Sequence, residues 1–256
     1  METSLSLNDL LKIYNKSLKN DITPKNKKRT NIEFEIRFFQ KYITFTIFER
    51  VFSELISRGF KIKNKSHSMK ILIDYDTPDK DDLTSKTRIE LENLFDIQKL
   101  CNNNVLSENV KYVTKDSIDG LKKDNFNNNY GFKTSIKKET LHTEKNIVIK
   151  KIEENWATSL KIFRLLHRTS LVHDDYPNIS IDMSKVKENL NKNTKFIESN
   201  VLNTKEKYEI EIEIINVNKP FDDSIRNNLL KYLQNTIKFV LSSIQNTMYP
   251  IPFGNI

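Results

Sequence analysis

The chain of 256 residues contains only four glycines, Gly59, Gly120, Gly131 and Gly254. No two are close enough to build a G-x-G-x-x-G or G-x-x-x-x-G-K-[ST] loop, so no glycine-rich turn can cradle a phosphate with its backbone amides. Any phosphate chemistry must rest on side chains. The single cysteine, Cys101, excludes internal disulfides and multi-cysteine zinc or iron–sulfur sites, and points to an intracellular, reducing compartment. A cysteine-phosphatase loop would need His before that residue and Arg beyond it, where Leu100 and Ser107 stand. No apolar run approaches the roughly 18–20 residues of a membrane span, and residues 1–30 lack a signal-peptide core, so no membrane partner is expected. What is abundant is charge. Lys and Arg number 42 against 34 Asp and Glu, a formal net charge of +8, which favours an anionic partner only weakly because Lys is spread throughout.

The length suits one large domain or two small ones, and neither an internal repeat nor a Pro/Gly/Ser linker divides it. Leu7, Leu10, Leu11, Ile13, Tyr14 and Leu18 share one face of a short N-terminal helix, followed by a basic loop from Lys25 to Arg29. Phe45, Phe48, Val51, Phe52, Leu55 and Ile56 have helical spacing, with Gly59 as the C-terminal stop. The segments 60–63, 69–75, 86–94, 110–114, 130–138, 146–152, 162–172, 178–183 and 207–215 read as strands. Loops are expected between them, notably at Asn102 to Asn104 and over 125–129. Asp222, Asp223 and Ser224 open a C-terminal helix with Ile225, Leu229, Leu233, Ile237, Val240, Leu241 and Ile244 on one stripe. The expected fold is mainly β within the α+β class: an antiparallel barrel or sheet with helices packed outside, including one at each end of the chain.

Two segments carry the chemistry. In Asn31-Ile-Glu-Phe-Glu-Ile-Arg-Phe-Phe39, strict alternation puts Glu33, Glu35 and Arg37 on one strand face and Ile32, Phe34, Ile36 and Phe38 on the other. In Lys207-Tyr-Glu-Ile-Glu-Ile-Glu-Ile-Ile215, Glu209, Glu211 and Glu213 share a face opposite Tyr208, Ile210, Ile212 and Ile214. One such strand alone reads as an ordinary half-solvated strand. Three carboxylates in a row repel one another, however, and no Lys is interleaved to offset them. If the two acidic faces converge they need a cation, and oxygen donors without His or Cys suit Mg²⁺ or Mn²⁺. Other strands carry the opposite sign at the same spacing: Lys86 with Arg88, Lys133 with Lys137, and Arg164 with Arg168. A divalent ion ringed by fixed cations suits a polyphosphate, whose transferred and leaving groups both need charge neutralised.

With Glu-x-Glu-x-Arg on an early strand and Glu-x-Glu-x-Glu on a late one, residues 31–215 resemble the triphosphate tunnel metalloenzymes. The specific likeness is to the metal-dependent RNA 5′-triphosphatases of fungal and large-DNA-virus mRNA capping. That resemblance implies an eight-stranded antiparallel tunnel that removes the γ-phosphate of triphosphate-ended RNA. It implies Glu33, Glu35 and Glu213 as direct metal ligands, with Glu209 and Glu211 acting through water and neighbouring cations. Arg88 in Thr-Arg-Ile-Glu-Leu would bind phosphate, and Glu139 in Lys133-Thr-Ser-Ile-Lys-Lys-Glu139 would orient the attacking water. Lys133, Lys137, Arg164 and Arg168 would be tunnel cations. Arg37 would support phosphate binding, and Asp182 in Ile179-Ser-Ile-Asp would buttress a basic residue. The chain departs from the pattern at Leu166, where the family has a Lys, and at Ser180, where an Arg is common. Lys161 or Lys137 is expected to take over the missing contact. His167 is expected to point away from the tunnel by parity, and His67, His142 and His173 have no ligand spacing.

The organisation implied is an N-terminal helix and basic loop over 1–30, a tunnel domain over 31–247 and a tail over 248–256, leading into or associating with a guanylyltransferase. A Lys-x-Asp-Gly nucleotidyl-transfer motif is absent, since Ile118-Asp-Gly120 lacks the lysine. An AT-biased composition fits a large DNA virus, hence a host cytoplasm or virion, and equally a protist. Two other functions are weighed: hydrolysis of tripolyphosphate, nucleoside triphosphates or thiamine triphosphate in the same tunnel, and a non-catalytic basic RNA-binding domain.

Overall fold

Period-two alternation dominates the middle of the chain, and in the computed structural model it builds a closed sheet whose greasy side faces out. The structure describes residues 5–21, 29–74, 87–118, 125–127, 131–142 and 147–245. Their elements in order are α1 (Leu7–Asp21), β1 (Arg29–Phe38), α2 (Phe45–Ser57), β2 (Lys61–Asp74), β3 (Thr87–Leu91), α3 (Leu94–Asn103), β4 (Lys111–Ser117) and β5 (Asn125–Asn127). There follow β6 (Phe132–His142), α4 (Ile147–Glu154), β7 (Leu160–Val172), β8 (Ile179–Glu188), β9 (Lys207–Ile214) and α5 (Asp223–Gln245).

Eight strands form an antiparallel ring in the order β1-β9-β8-β7-β2-β3-β4-β6, closed by pairing of β6 with β1. β6 is long enough to serve two neighbours on one side, β4 over its C-terminal half and the three-residue β5 over its N-terminal end. The register decides which residues meet: Glu35 lies opposite Glu213, Arg37 opposite Glu211, and Asp182 opposite Glu211 on the far side of β9. Every charged face named from the sequence on β1, β7 and β9 therefore points into the ring.

The apolar faces point outward and are covered by helices. Ile32, Phe34, Ile36 and Phe38 of β1 and Ile210, Ile212 and Ile214 of β9 are buried beneath α1, α2 and α5. α1 contributes Leu7, Leu10, Leu11, Tyr14 and Leu18 at helical spacing, with the Tyr14 ring edge-on to Phe34 at 5.7 Å. Thr44 caps α2 by accepting the amide of Ile47, and Gly59 ends it at φ +92°, where a Cβ would meet His173 Nε2 at 3.0 Å. A second core on the other side of the ring buries Met69, Ile71 and Ile73 of β2 with Ile97 and Leu100 of α3 and Val148, Ile149 and Ile152 of α4. Two helical shells holding an inward charged surface replace the usual apolar barrel interior.

Four parts of the chain differ from the sequence expectation. Within 146–152, read as a strand for its β-branched run, the described residues 147–152 belong to α4 because Val148, Ile149 and Ile152 fall on one helical face buried against the sheet. Asn102 and Asn103 are the last turn of α3, not a loop, and Asn104 takes the left-handed C-cap conformation at φ 54°. Within 125–129, Asn125–Asn127 is a strand. The segments read as 60–63 and 69–75 belong to one strand, Lys61–Asp74, with a register shift between Ile62 and Asn64. Lys86, residues 25–28 of the expected basic loop and the tail from 248 lie outside the described residues, whereas Arg29, expected in that loop, opens β1.

Candidate active site

The ring encloses a cavity of about 720 Å³ whose lining is almost wholly charged or polar. Its acidic side is built by β1 and β9. One carboxylate oxygen each from Glu35, Glu211 and Glu213 lies within 4.8 Å of the others. Glu211 is almost fully buried and is held between two guanidiniums: Arg37 on one side and Arg168 Nη2, at 3.0 Å, on the other. Arg37 also reaches Glu35 at 3.0 Å, while Arg168 donates to Asp182 at 2.7 Å and to Ser184 Oγ at 3.2 Å. Asp182 in turn accepts from Ser180 at 3.2 Å. The residue standing where an Arg is common in the resembled family thus helps orient the carboxylate that holds Arg168.

Electrostatics separate these three acids. Burial works against ionisation of Glu211, but Arg37 and Arg168 outweigh it and its pKa is lowered. Glu213 is pushed up to about 8 by burial and by the charge of Asp182, with Arg168 only partly offsetting them. Burial and the Glu211 charge likewise raise Glu35. Carboxylates that resist ionisation for want of positive charge fit a hard divalent cation, and three convergent oxygen donors are the right chemistry for Mg²⁺ or Mn²⁺.

Across the cavity lies a chain of alternating charges on β1, β2, β3, β4 and β6. Lys115 pairs with Glu33 and with Glu139 at 3.6 Å. Arg88 donates to Glu139 at 3.3 Å and pairs with Glu90, which Lys70 approaches at 3.6 Å. Glu33 and Glu139 share a hydrogen bond. Burial, that bond and the Glu33 charge raise Glu139 to about 7; Glu33 is held at about 2, against burial, by the bond and by Lys115. Glu139 is therefore the partner that keeps the proton.

Of the metal ligands expected from the sequence, the structure brings Glu35 and Glu213 together and adds Glu211. It turns Glu33 towards Lys115, and it seats Glu209 against Arg164 and Gln40 Nε2, the latter at 2.7 Å. Arg88, Glu139, Arg164 and Arg168 line the cavity. Lys133 and Lys137 share the inward register face, opposite Arg37 and Glu33. The Nε atoms of Arg37 and Arg164 are buried and make no hydrogen bond among the described residues.

The expected stand-in at Lys161 fails on parity. Its ammonium is fully buried outside the ring, donating to the carbonyls of Ser159 and Thr194 at 2.7 and 2.8 Å over the Trp156 ring. Lys70, opposite Arg164 in register, supplies a cation beside Leu166. Lys70, Lys115 and Glu90 were not found from the sequence. Alternation of Lys70 with buried Met69 and Ile71 was the available signal for the first, and Lys115 lay one residue past the strand end assigned at 114.

Fold and site together define a β tunnel with an acidic, metal-competent wall facing fixed cations. Solved structures with this fold include the RNA triphosphatase domain of a trifunctional mimivirus mRNA capping enzyme: TM-score 0.58, 18% identity, covering 92% of this chain and 99% of that one. A monoclinic form of the mimivirus capping enzyme triphosphatase gives TM-score 0.58 at 19% identity over 93% of this chain and 100% of that one. A triclinic form gives 0.55 at 17% over 92% and 100%. No family model and no curated protein sequence matches the chain. Among the described residues no helix is long and apolar enough to cross a membrane.

Proposed function

We propose that the tunnel is the active site of a divalent-metal-dependent polynucleotide 5′-triphosphatase, which converts triphosphate-ended RNA and water to diphosphate-ended RNA and inorganic phosphate. The observation that carries this reading is the convergence of Glu35, Glu211 and Glu213 on one point, opposite a wall of Lys and Arg. Glu35, Glu211 and Glu213 would hold Mg²⁺ or Mn²⁺, which when bound supplies Lewis-acid neutralisation of the γ-phosphate oxygens. Arg37 and Arg168 fix the acids and offer remaining donors to phosphate. Lys70, Arg88, Lys115 and Arg164 bind the phosphate chain, with Lys133 and Lys137 extending the cationic face along β6. Glu139, its pKa raised to about 7 and so partly ionised at neutral pH, accepts in its ionised form a hydrogen bond from the attacking water and sets it in line with the breaking P–O bond. Negative charge leaves on the diphosphate, and the proton of the water is released through Glu139.

The chain spans nearly all of the mimivirus triphosphatase domain in those structures, which supports placing it in mRNA capping with a guanylyltransferase acting next. Phosphate release from triphosphate-ended RNA with Mg²⁺ or Mn²⁺ tests this reading. Release should be lost in chelator and fall at least a hundredfold in Glu35→Ala and Glu211→Ala. Release only from tripolyphosphate or free nucleotides would replace RNA by a small triphosphate as substrate. Absence of metal-dependent release from any triphosphate would refute the enzyme reading.

A further inference from the structure

β3 pairs with β2 only from Met69 to Leu72, whereas β7 pairs with β2 along its whole length, from Lys61 to Asp74. The stretch Lys61–Ser68 is therefore an open edge on the β3 side among the described pairings. Among the described residues no strand closes the tunnel wall there. Asn64, Lys65, Ser66, His67 and Ser68 all line the cavity, although a strand normally shows only alternate residues to one side. Both faces contribute because the cavity runs out over this edge, level with Arg168, which is opposite Ser66 in register.

What lies just outside this edge is a row of rings and cations. His67 stacks on His167 with centroids 4.3 Å apart and planes at 14°, and both are exposed. In register, His167 is opposite Lys185, and Lys185 is opposite Tyr208. Lys185 lies 5.4 Å over the ring of Phe45, itself 54% exposed, and Phe45 packs on Tyr208 at 5.8 Å. Burial, His67, Lys185 and Lys65 all lower the pKa of His167, against Glu206. Glu49 holds the Lys185 ammonium at 3.2 Å, and Glu206 accepts from the Tyr208 hydroxyl.

We infer that this outer row, from Lys65 and His67 across His167 and Lys185 to Tyr208 and Phe45, binds the single-stranded RNA that follows the 5′-triphosphate as it leaves the tunnel over the open edge of β2. Bases stack on the imidazole pair and on the exposed Phe45 ring, which tolerate any sequence, while Lys65 and Lys185 meet backbone phosphates. Continuity of the row with the cavity and its cationic, aromatic chemistry favour RNA over a protein partner. The inference rests on the proposed reading of the tunnel and adds the part of the substrate that this reading leaves unbound.

The test uses the full chain and its His167→Ala/Lys185→Ser variant, whose substituted side chains lie outside the cavity lining. The first readout is binding of a 3′-labelled, 5′-monophosphate 20-nucleotide RNA, by anisotropy at two salt concentrations; it stands whether or not the protein is a triphosphatase. The second compares KM for triphosphate-ended 20-mer with turnover of inorganic tripolyphosphate. The variant should bind RNA at least tenfold more weakly, with a shallower salt dependence. It should show a raised KM on the 20-mer at unchanged kcat, and keep tripolyphosphate turnover within twofold of wild type. Wild-type RNA affinity in the variant overturns the inference and leaves the face to a protein partner. Wild-type failure to hydrolyse triphosphate-ended RNA, with the variant's binding loss intact, would instead overturn the tunnel reading alone.

Discussion

Glu35 of β1 and Glu213 of β9 stand directly opposite each other in adjacent antiparallel strands. Like charges in that position destabilise a sheet, and here a third acid, Glu211, lies within reach of both. The arrangement persists because Arg37 and Arg168 flank it and because two of the acids are held towards the protonated form. It is a site whose electrostatics are incomplete without a further cation.

That incompleteness sets the pH dependence of the metal-free protein. Glu213 at about 8 and Glu139 at about 7 bind protons more tightly in the folded chain than in the unfolded one, where carboxyls titrate near 4.5. Between those limits the folded state carries more protons, so stability is greatest near pH 4.5 and declines as pH rises through 7 and 8. Melts in chelator should show Tm lower at pH 8 than at pH 5 by several degrees, a rough expectation for linkage of this size. Mn²⁺ or Mg²⁺ should raise Tm more at pH 8 than at pH 5, because at pH 5 the ion must displace protons.

Glu211 is predicted to matter to the fold as well as to activity. Removing a nearly fully buried carboxylate takes a partner from both guanidiniums, leaving Arg37 to Glu35 and Arg168 to Asp182, a loss on the order of 3–5 kcal/mol. Chemical denaturation should show that loss for Glu211→Ala, and a much smaller one for Glu213→Ala, whose carboxylate lies at 4.0 Å from Arg168. Both variants should lose metal-dependent turnover.

Lys70 and Lys161 should separate cleanly. Lys70→Ala removes a cavity cation and is expected to raise KM for a triphosphate about tenfold, with Tm nearly unchanged. Lys161→Ala leaves the Ser159 and Thr194 carbonyls without their buried donor, costing about 1–3 kcal/mol and lowering Tm, with kcat and KM preserved. The reverse pattern in steady-state kinetics and melts would return the catalytic cation to Lys161.

The acidic faces of β1 and β9 were legible from residue order because alternation is strict there: Ile32, Phe34 and Ile36 interleave with Glu33 and Glu35, and no bulge disturbs the parity. β2 was harder. Its register shift between Ile62 and Asn64 and the polar run Lys63 to Ser68 broke the alternation into two short pieces, hiding Lys70 on the inward face. α4 was lost for a different reason. Ile147, Val148 and Ile149 favour a strand locally, and only the buried face shared with Ile152 and the sheet beneath selects the helix. For α3 a signal was present and unread: Asn93 accepts the amide of Asp96 at 2.8 Å, a capping arrangement in front of Ile97 and Leu100. Which acids share an ion depends on side-chain partners across strands. Glu33 and Glu35 are equivalent by spacing, and only Lys115, brought in by β4, draws Glu33 away.

The central claim, that Glu35, Glu211 and Glu213 jointly hold one divalent ion against a phosphate chain, is tested most directly by a crystal structure grown with Mn²⁺ and tripolyphosphate. The account predicts one anomalous manganese peak bonded to oxygens of these three glutamates, with the terminal phosphate reaching both the ion and Arg88 or Lys115. A peak elsewhere, or phosphate bound in the tunnel with no ion at these glutamates, would contradict it.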